Sequence, residues 1–166
     1  MVLYIEKNLA FTGMNILIQS NVPMGKGVSS SASLEVATLC ALEKIYNIKF
    51  EDTELPILAQ KAENLMVGAP CGLMDQLSCY LGNKNKLLPL ICQPHQVFSP
   101  VSLPSGILFC GIDSGIRHAV SGASYSDVRT AAFMAYTIIA MQEGSSFTEL
   151  KHAKNSGHWE SLPFKG

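Results

Sequence analysis

Apolar and polar positions change rhythm several times along the chain, and each rhythm predicts an element. Leu9–Ser20 alternates weakly and carries β-branched residues, which predicts a strand at Met14–Ser20. Val22–Ser31 breaks that pattern with Pro23, Gly25 and Gly27 and ends in three serines, so it reads as a loop. From Ala32 to about Tyr46 the residues are good helix formers and are apolar on nearly every face, which predicts a buried helix. A second helix fits Asp52–Met66, with Asp52 or Thr53 as N-cap and Leu55, Leu58, Ala62 and Leu65 or Met66 on one stripe.

Gly68–Gly72 interrupts the helical pattern, and Leu73–Leu81 resumes it through Leu73, Met74, Leu77 and Leu81. Strands are expected at Lys86–Cys92, Gln96–Val101 and Ile107–Asp113, with Pro and Ser supplying the turns. A long helix follows at Tyr125–Met141 and a shorter one near Phe147–Ala153, while Asn155–Gly166 lacks periodicity and reads as a ragged end. Strands and helices without regular β-α alternation favour an α+β fold over a doubly wound sheet. The change of pattern near Pro100–Ser105 marks the expected boundary between two structural units.

Composition narrows the function classes. The 166 residues are 48% hydrophobic and 15% charged, enough to build a core. A formal net charge of −1 with only two arginines, Arg117 and Arg129, argues against a nucleic-acid-binding surface. No apolar run reaches the roughly 18–20 residues of a membrane span, and the N-terminus lacks the pattern of a signal peptide. The five cysteines form no Cys-x-x-Cys, and most sit in apolar stretches; structural free thiols in a reducing, cytoplasmic setting are expected. The four histidines have no metal-ligand spacing, so a zinc site is not expected.

Three features suggest chemistry. Gly25-Lys26-Gly27-Val28-Ser29-Ser30-Ser31 can turn tightly before a helix, presenting hydroxyls, backbone N–H groups and the positive helix end to an anion such as phosphate. It is neither a Walker loop nor Gly-x-Gly-x-x-Gly, since Ser30 stands at the third glycine position. An ordinary serine N-cap weighs about equally against the phosphate reading. Asp75 is a lone acid at the start of an apolar helix, either a first-turn residue favoured by the helix dipole or a carboxylate facing a cleft. Glu63 lies inside the apolar stripe of the second helix, where a solvated position is the ordinary alternative.

Taken in order, these segments carry a resemblance. Pro23–Ala37 resembles the second motif of the GHMP small-molecule kinases in its galactokinase form. Lys61–Asn64 and Gly68–Gln76 follow at the expected separations and resemble the active-site segment of that branch. Gly111–Val120 and Ser124–Arg129 resemble its later sugar-side region, and Val67–Cys71 with Ile91–Pro94 looks closest to L-arabinokinase-type members. The resemblance runs from about Ile16 to about Met141. It implies an ATP-dependent kinase that phosphorylates the anomeric C1 hydroxyl of galactose or L-arabinose.

Carried over by position, the loop Gly25–Ser31 would wrap the nucleotide phosphates of ATP, with Ser29 and Ser30 closest. Ser29 and Glu63 would be the Mg²⁺ (Mg2+) ligands, Asp75 the catalytic base, and Gly72 and Tyr125 sugar contacts. Lys26 could add charge near the γ-phosphate, although a solvated loop lysine weighs somewhat more. Arg117 is expected to face the sugar or phosphate cleft, and His118 less so. Cys71 is expected to be a small core residue rather than a nucleophile, having no evident partner base.

Two departures from the family pattern shape the domain expectation. No arginine precedes Arg117, so the family's first, arginine-bearing motif is missing, and its glycine-rich third motif is missing after Met141. The chain is therefore expected to be the middle of a kinase. Residues 1–104 would form an incomplete nucleotide-side domain, and residues 105–166 the start of a ferredoxin-like second domain. Incomplete domains expose core surface, so self-association is expected. A non-catalytic sugar or nucleotide sensor, or a truncated inactive gene product, are the alternative functions.

Overall fold

The computed structural model describes residues 2–10, 12–92, 95–116, 123–142 and 144. Its helices are α1 (Val2–Lys7), α2 (Ser30–Ile45), α3 (Glu54–Ala62), α4 (Met74–Leu81) and α5 (Ala123–Gln142). A π-helical turn, Glu63–Val67, continues α3. Four short strands lie between α4 and α5: β1 (Lys86–Leu87), β2 (Leu90–Cys92), β3 (His95–Val97) and β4 (Val101–Ser102).

Helices α2, α3 and α4 pack on one another, and α1 docks on α3. Their shared core is Leu3, Val36, Leu39, Leu55, Leu58 and Ala59, flanked by half-buried Cys40, Leu42, Ile48, Phe50 and Tyr80. The α3 stripe follows its spacing: Leu55, Leu58 and Ala59 repeat at three and four residues and all face inward. Outside this core, Lys61 pairs with Glu6 at 3.1 Å and Lys7 pairs with Glu54, so α1 is clasped to α3 from both sides. The sequence pattern did not predict α1. Its six residues are too few to show a period, and what orders them is Leu3 sinking into the core of α2 and α3.

The strands make one interrupted hairpin. β2 pairs antiparallel with β3 (Leu90↔Val97, Cys92↔His95), and β1 pairs with β4 (Lys86↔Ser102, Leu87↔Val101). The expected strands at Lys86–Cys92 and Gln96–Val101 are thus each split in two. Pro89 has no N–H to give the ladder, but its carbonyl accepts from Phe98 N–H at 3.0 Å, so the two arms stay together across the gap.

Three expectations need correction. Met14–Ser20 and Ile107–Asp113 are not strands: both run without ladder partners, and Leu17 (94%) and Ile112 (96%) are almost fully exposed. β-branched residues favour extended backbone, yet a strand also requires a neighbour to take its hydrogen bonds. The helix at Ala32–Tyr46 forms, but it is not buried all round. Only Ala32, Val36 and Leu39 are buried, and Leu34 and Ile45 face outward. Helix α5 matches the expectation for Tyr125–Met141, whereas the helix near Phe147–Ala153 and the segment Asn155–Gly166 lie outside the described residues. Among the described residues no helix is long and apolar enough to cross a membrane.

Candidate functional site

The loop before α2 is shaped by three left-handed residues. Gly25 (φ 69°) and Gly27 (φ 71°) adopt a backbone that other residues resist. Ser29 adopts it too (φ 59°, ψ 40°) despite carrying a Cβ, a conformation found mostly where surrounding structure holds it for a purpose. Ser29 is the N-cap residue of α2, and its carbonyl accepts the N–H of Ser33 at 3.0 Å, yet its hydroxyl makes no capping bond. The serines are therefore not consumed as an ordinary N-cap. Their hydroxyls, with the first N–H groups of a 16-residue helix, border a cavity of about 570 Å³.

That cavity gathers most of the expected residues. Gly25, Gly27, Ser29, Ser30 and Ser31 line it together with Glu63, Gly72 and Asp75, and Val67, Ala69, Met74, Cys71 and Cys92 make up the rest of the lining. Asp75 occupies the first turn of α4 and is half-buried. At Gly25, Gly27 and Gly72 an added Cβ would meet no protein atom, so these positions leave room against the backbone. Lys26 and Val28 point elsewhere: the Lys26 ammonium pairs with Asp113 at 2.7 Å, and Val28 is exposed. Lys26 is thus an exposed loop lysine outside the cavity lining, paired with an exposed acid. Its charge, with the Gly115 N–H, holds the Asp113 carboxyl below its ordinary range. Arg117 and His118 lie outside the described residues. Tyr125 is a position on α5, and its side chain also lies outside them.

Glu63 is not the solvated position that a helix stripe would allow. It is 5% exposed and opens the π turn, a local widening of the helix often found at functional sites. Its Oε2 accepts from Gln76 Nε2 at 2.7 Å and from the Cys71 thiol at 3.3 Å. Gln60 Nε2 donates to the Cys71 carbonyl at 3.1 Å, so the segment 68–72 is stitched back onto α3. Burial, reinforced by the thiol's hydrogen bond to Glu63, pushes Cys71 up to about 12. A thiol so held is protonated at neutral pH and is no nucleophile. All five cysteines are free, and Cys40 packs half-buried against the core, but Cys79, Cys92 and Cys110 are exposed, so the structural role expected of them is corrected.

Sequence reasoning missed Glu35 and Gln76. Burial, with the nearby Glu63 charge, raises Glu35 from 4.5 to about 7, opposed by a hydrogen bond from Gln76. The folded chain therefore keeps a proton there that the unfolded chain has released. The resulting stabilisation is complete below pH 4.5 and is lost as pH rises through about 7. E35Q removes this dependence. At about pH 8 the variant is expected to be more stable than the parent by about 1–2 kcal/mol, after allowance for Glu35's partial exposure. Urea unfolding across that range checks it, and a constant difference at every pH would contradict it.

The donor set around the cavity suits a phosphate group with a hard divalent cation. Hydroxyl- and carboxylate-bearing residues line it beside apolar ones, and among the described residues no group of three or more His, Cys, Asp and Glu side chains offers an all-protein metal cage. A cation held by one carboxylate, a hydroxyl and substrate phosphates is the habit of magnesium.

Comparison with known proteins bears on the same segments. Residues 1–83 match the family model described as the GHMP kinases N terminal domain. An L-arabinokinase from Arabidopsis thaliana is 44% identical over 167 aligned residues, covering 100% of this chain and 16% of that protein. A galactokinase from Chloroflexus aggregans is 37% identical over 135 residues, 81% of this chain and 34% of that protein. The chain thus spans 16% and 34% of the length of these two relatives.

Proposed function

Since the chain belongs to the GHMP kinases, carrying their N-terminal domain, we propose that its cavity serves ATP-dependent phosphorylation of a sugar at the anomeric C1 hydroxyl, with galactose or L-arabinose as acceptor. The observation that carries this reading is the convergence of Ser29, Ser30, Glu63 and Asp75 on one cavity from three separate elements. The relatives are a galactokinase and an L-arabinokinase, which supports the acceptor class.

The chain's residues divide the work. N–H groups and hydroxyls at the start of α2 bind and orient the phosphates, and the helix end favours their charge. Ser29 and Glu63 would hold Mg²⁺, which when bound neutralises charge on the transferring phosphoryl group. Asp75 accepts the proton of the attacking sugar hydroxyl, while Gly72 leaves space beside it for the ring. Tyr125 and Arg117 complete the sugar contacts in this proposal, and Lys26 steadies the loop through Asp113. A division at 104/105 belongs to the same proposal. It is supported by the hairpin closing at β4, after which Leu103 N–H bonds the Asn85 carbonyl at 3.0 Å. The exposed apolar side chains of Leu17, Leu108 and Ile112 support self-association.

Cys92 provides a direct test because it is exposed and lines the cavity, while Cys110 is exposed elsewhere. Mg-ATP or the sugar is expected to slow alkylation of Cys92 several-fold and leave Cys110 unchanged, with Cys71 reacting only after unfolding. Peptide mapping after iodoacetamide treatment, run beside a coupled ADP-release assay, reads both. Protection with sugar-dependent ADP release supports the kinase, protection without release points to a sensor, and neither leaves an inactive product.

A further inference from the structure

Gln76 is fully buried, follows Asp75 on α4 and reaches two carboxylates with one amide nitrogen. Nε2 donates to Glu63 Oε2 at 2.7 Å and to Glu35 Oε2 at 3.5 Å, and it lies 3.7 Å from Cys71 Sγ. Turning the amide over would aim its oxygen at both acids, so the acids themselves fix its orientation. The consequence is visible at the far side of the group: Oε1 is buried with no hydrogen-bond partner. Leaving such an atom unpaired is unfavourable.

Resting on the metal reading above, we propose that Gln76 is a positioning residue for the divalent-cation site of this cavity. Its short bond to Oε2 fixes the rotamer of Glu63, and its longer one holds Glu35 back from the same space. Without that donor Glu63 loses its short hydrogen bond beside a second acid and turns away from the cation. The same anchor ties the first turn of α4 to α2 and α3, so Asp75, one residue earlier, keeps its bearing on the cavity. Partners of this kind, which touch the ligand rather than the metal, typically change metal affinity by about 10–100-fold when removed.

The test reads metal uptake rather than turnover. Mn²⁺ binding by the whole chain in the presence of a non-hydrolysable ATP analogue is followed by the electron paramagnetic resonance of free Mn²⁺. Q76L is expected to weaken Mn²⁺ binding about 10–100-fold while leaving metal-free binding of the analogue unchanged. Because Q76L leaves two acids side by side, the double variant Q76L/E35A removes the second acid without placing a new donor beside Glu63, and protects the fold. It too is expected to bind Mn²⁺ weakly, since Glu63 still lacks its amide donor. Parental Mn²⁺ affinity in either folded variant overturns the positioning role and leaves the kinase reading intact. No Mn²⁺ uptake by the parent chain overturns the metal reading and this inference with it.

Discussion

D75N is expected to lower sugar-dependent ADP formation by about 10²–10⁴-fold, the usual contribution of a positioned general base. Asn preserves the size of the side chain and can still accept a hydrogen bond from the sugar, but it cannot take the proton. Asp75 stands in the first turn of α4 and lines the same cavity as the serine loop. Sugar and nucleotide affinities should therefore stay within a few-fold of the parent, and the loss should fall on turnover. The coupled ADP-release assay together with calorimetric titration separates the two. Undiminished turnover would remove Asp75 from the catalytic role. Lost binding with proportionately lost turnover would make it a binding residue instead.

L55A is expected to destabilise the fold by about 2–5 kcal/mol, from lost transfer energy and the cavity left behind. Leu55 is completely buried at the start of α3, inside the cluster that joins α1, α2 and α3. For a domain whose whole stability is typically about 5–15 kcal/mol, that is a large fraction. The effect should extend to the site, because α3 delivers Glu63 at its far end and the Gln60 bond to the segment 68–72 starts from the same helix. Urea unfolding should show a lower midpoint with an unchanged slope. A loss below about 1 kcal/mol would mean that the gap closes by local collapse and that this cluster is not the centre of the fold.

Much of the local architecture was legible because it is set by short-range chemistry. The spacing of Leu55, Leu58 and Ala59 places α3, and the resumption of helical spacing after Gly72 places α4. The change from glycines to serines before α2 marks its start. The candidate site was proposed for a different reason: turn residues and hydroxyls lie consecutively at Gly25–Ser31, the acids follow in the order of the family it resembles, and these residues line one cavity. What the sequence could not give was the partner of each side chain. Glu63 reads as a surface acid on a helix stripe until α4 brings Gln76 against it, and Lys26 reads as a loop cation until Asp113 is seen to pair with it 87 positions later. A glutamine standing between Asp75 and Leu77 on an otherwise apolar helix face was the one available signal for Gln76, and it names no partner.

The sequence by itself determined which residues can turn, cap or bury, and hence helices α2 to α5 and the glycine–serine loop, while the family was read from a resemblance of ordered motifs. Tertiary structure alone decided which extended stretches become strands, which acids are buried, and which side chains share a cavity. The physical reason is that propensity and periodicity act within a few residues. Pairing of backbone hydrogen bonds, desolvation of a carboxylate and the reach of an amide depend on segments that only folding brings together.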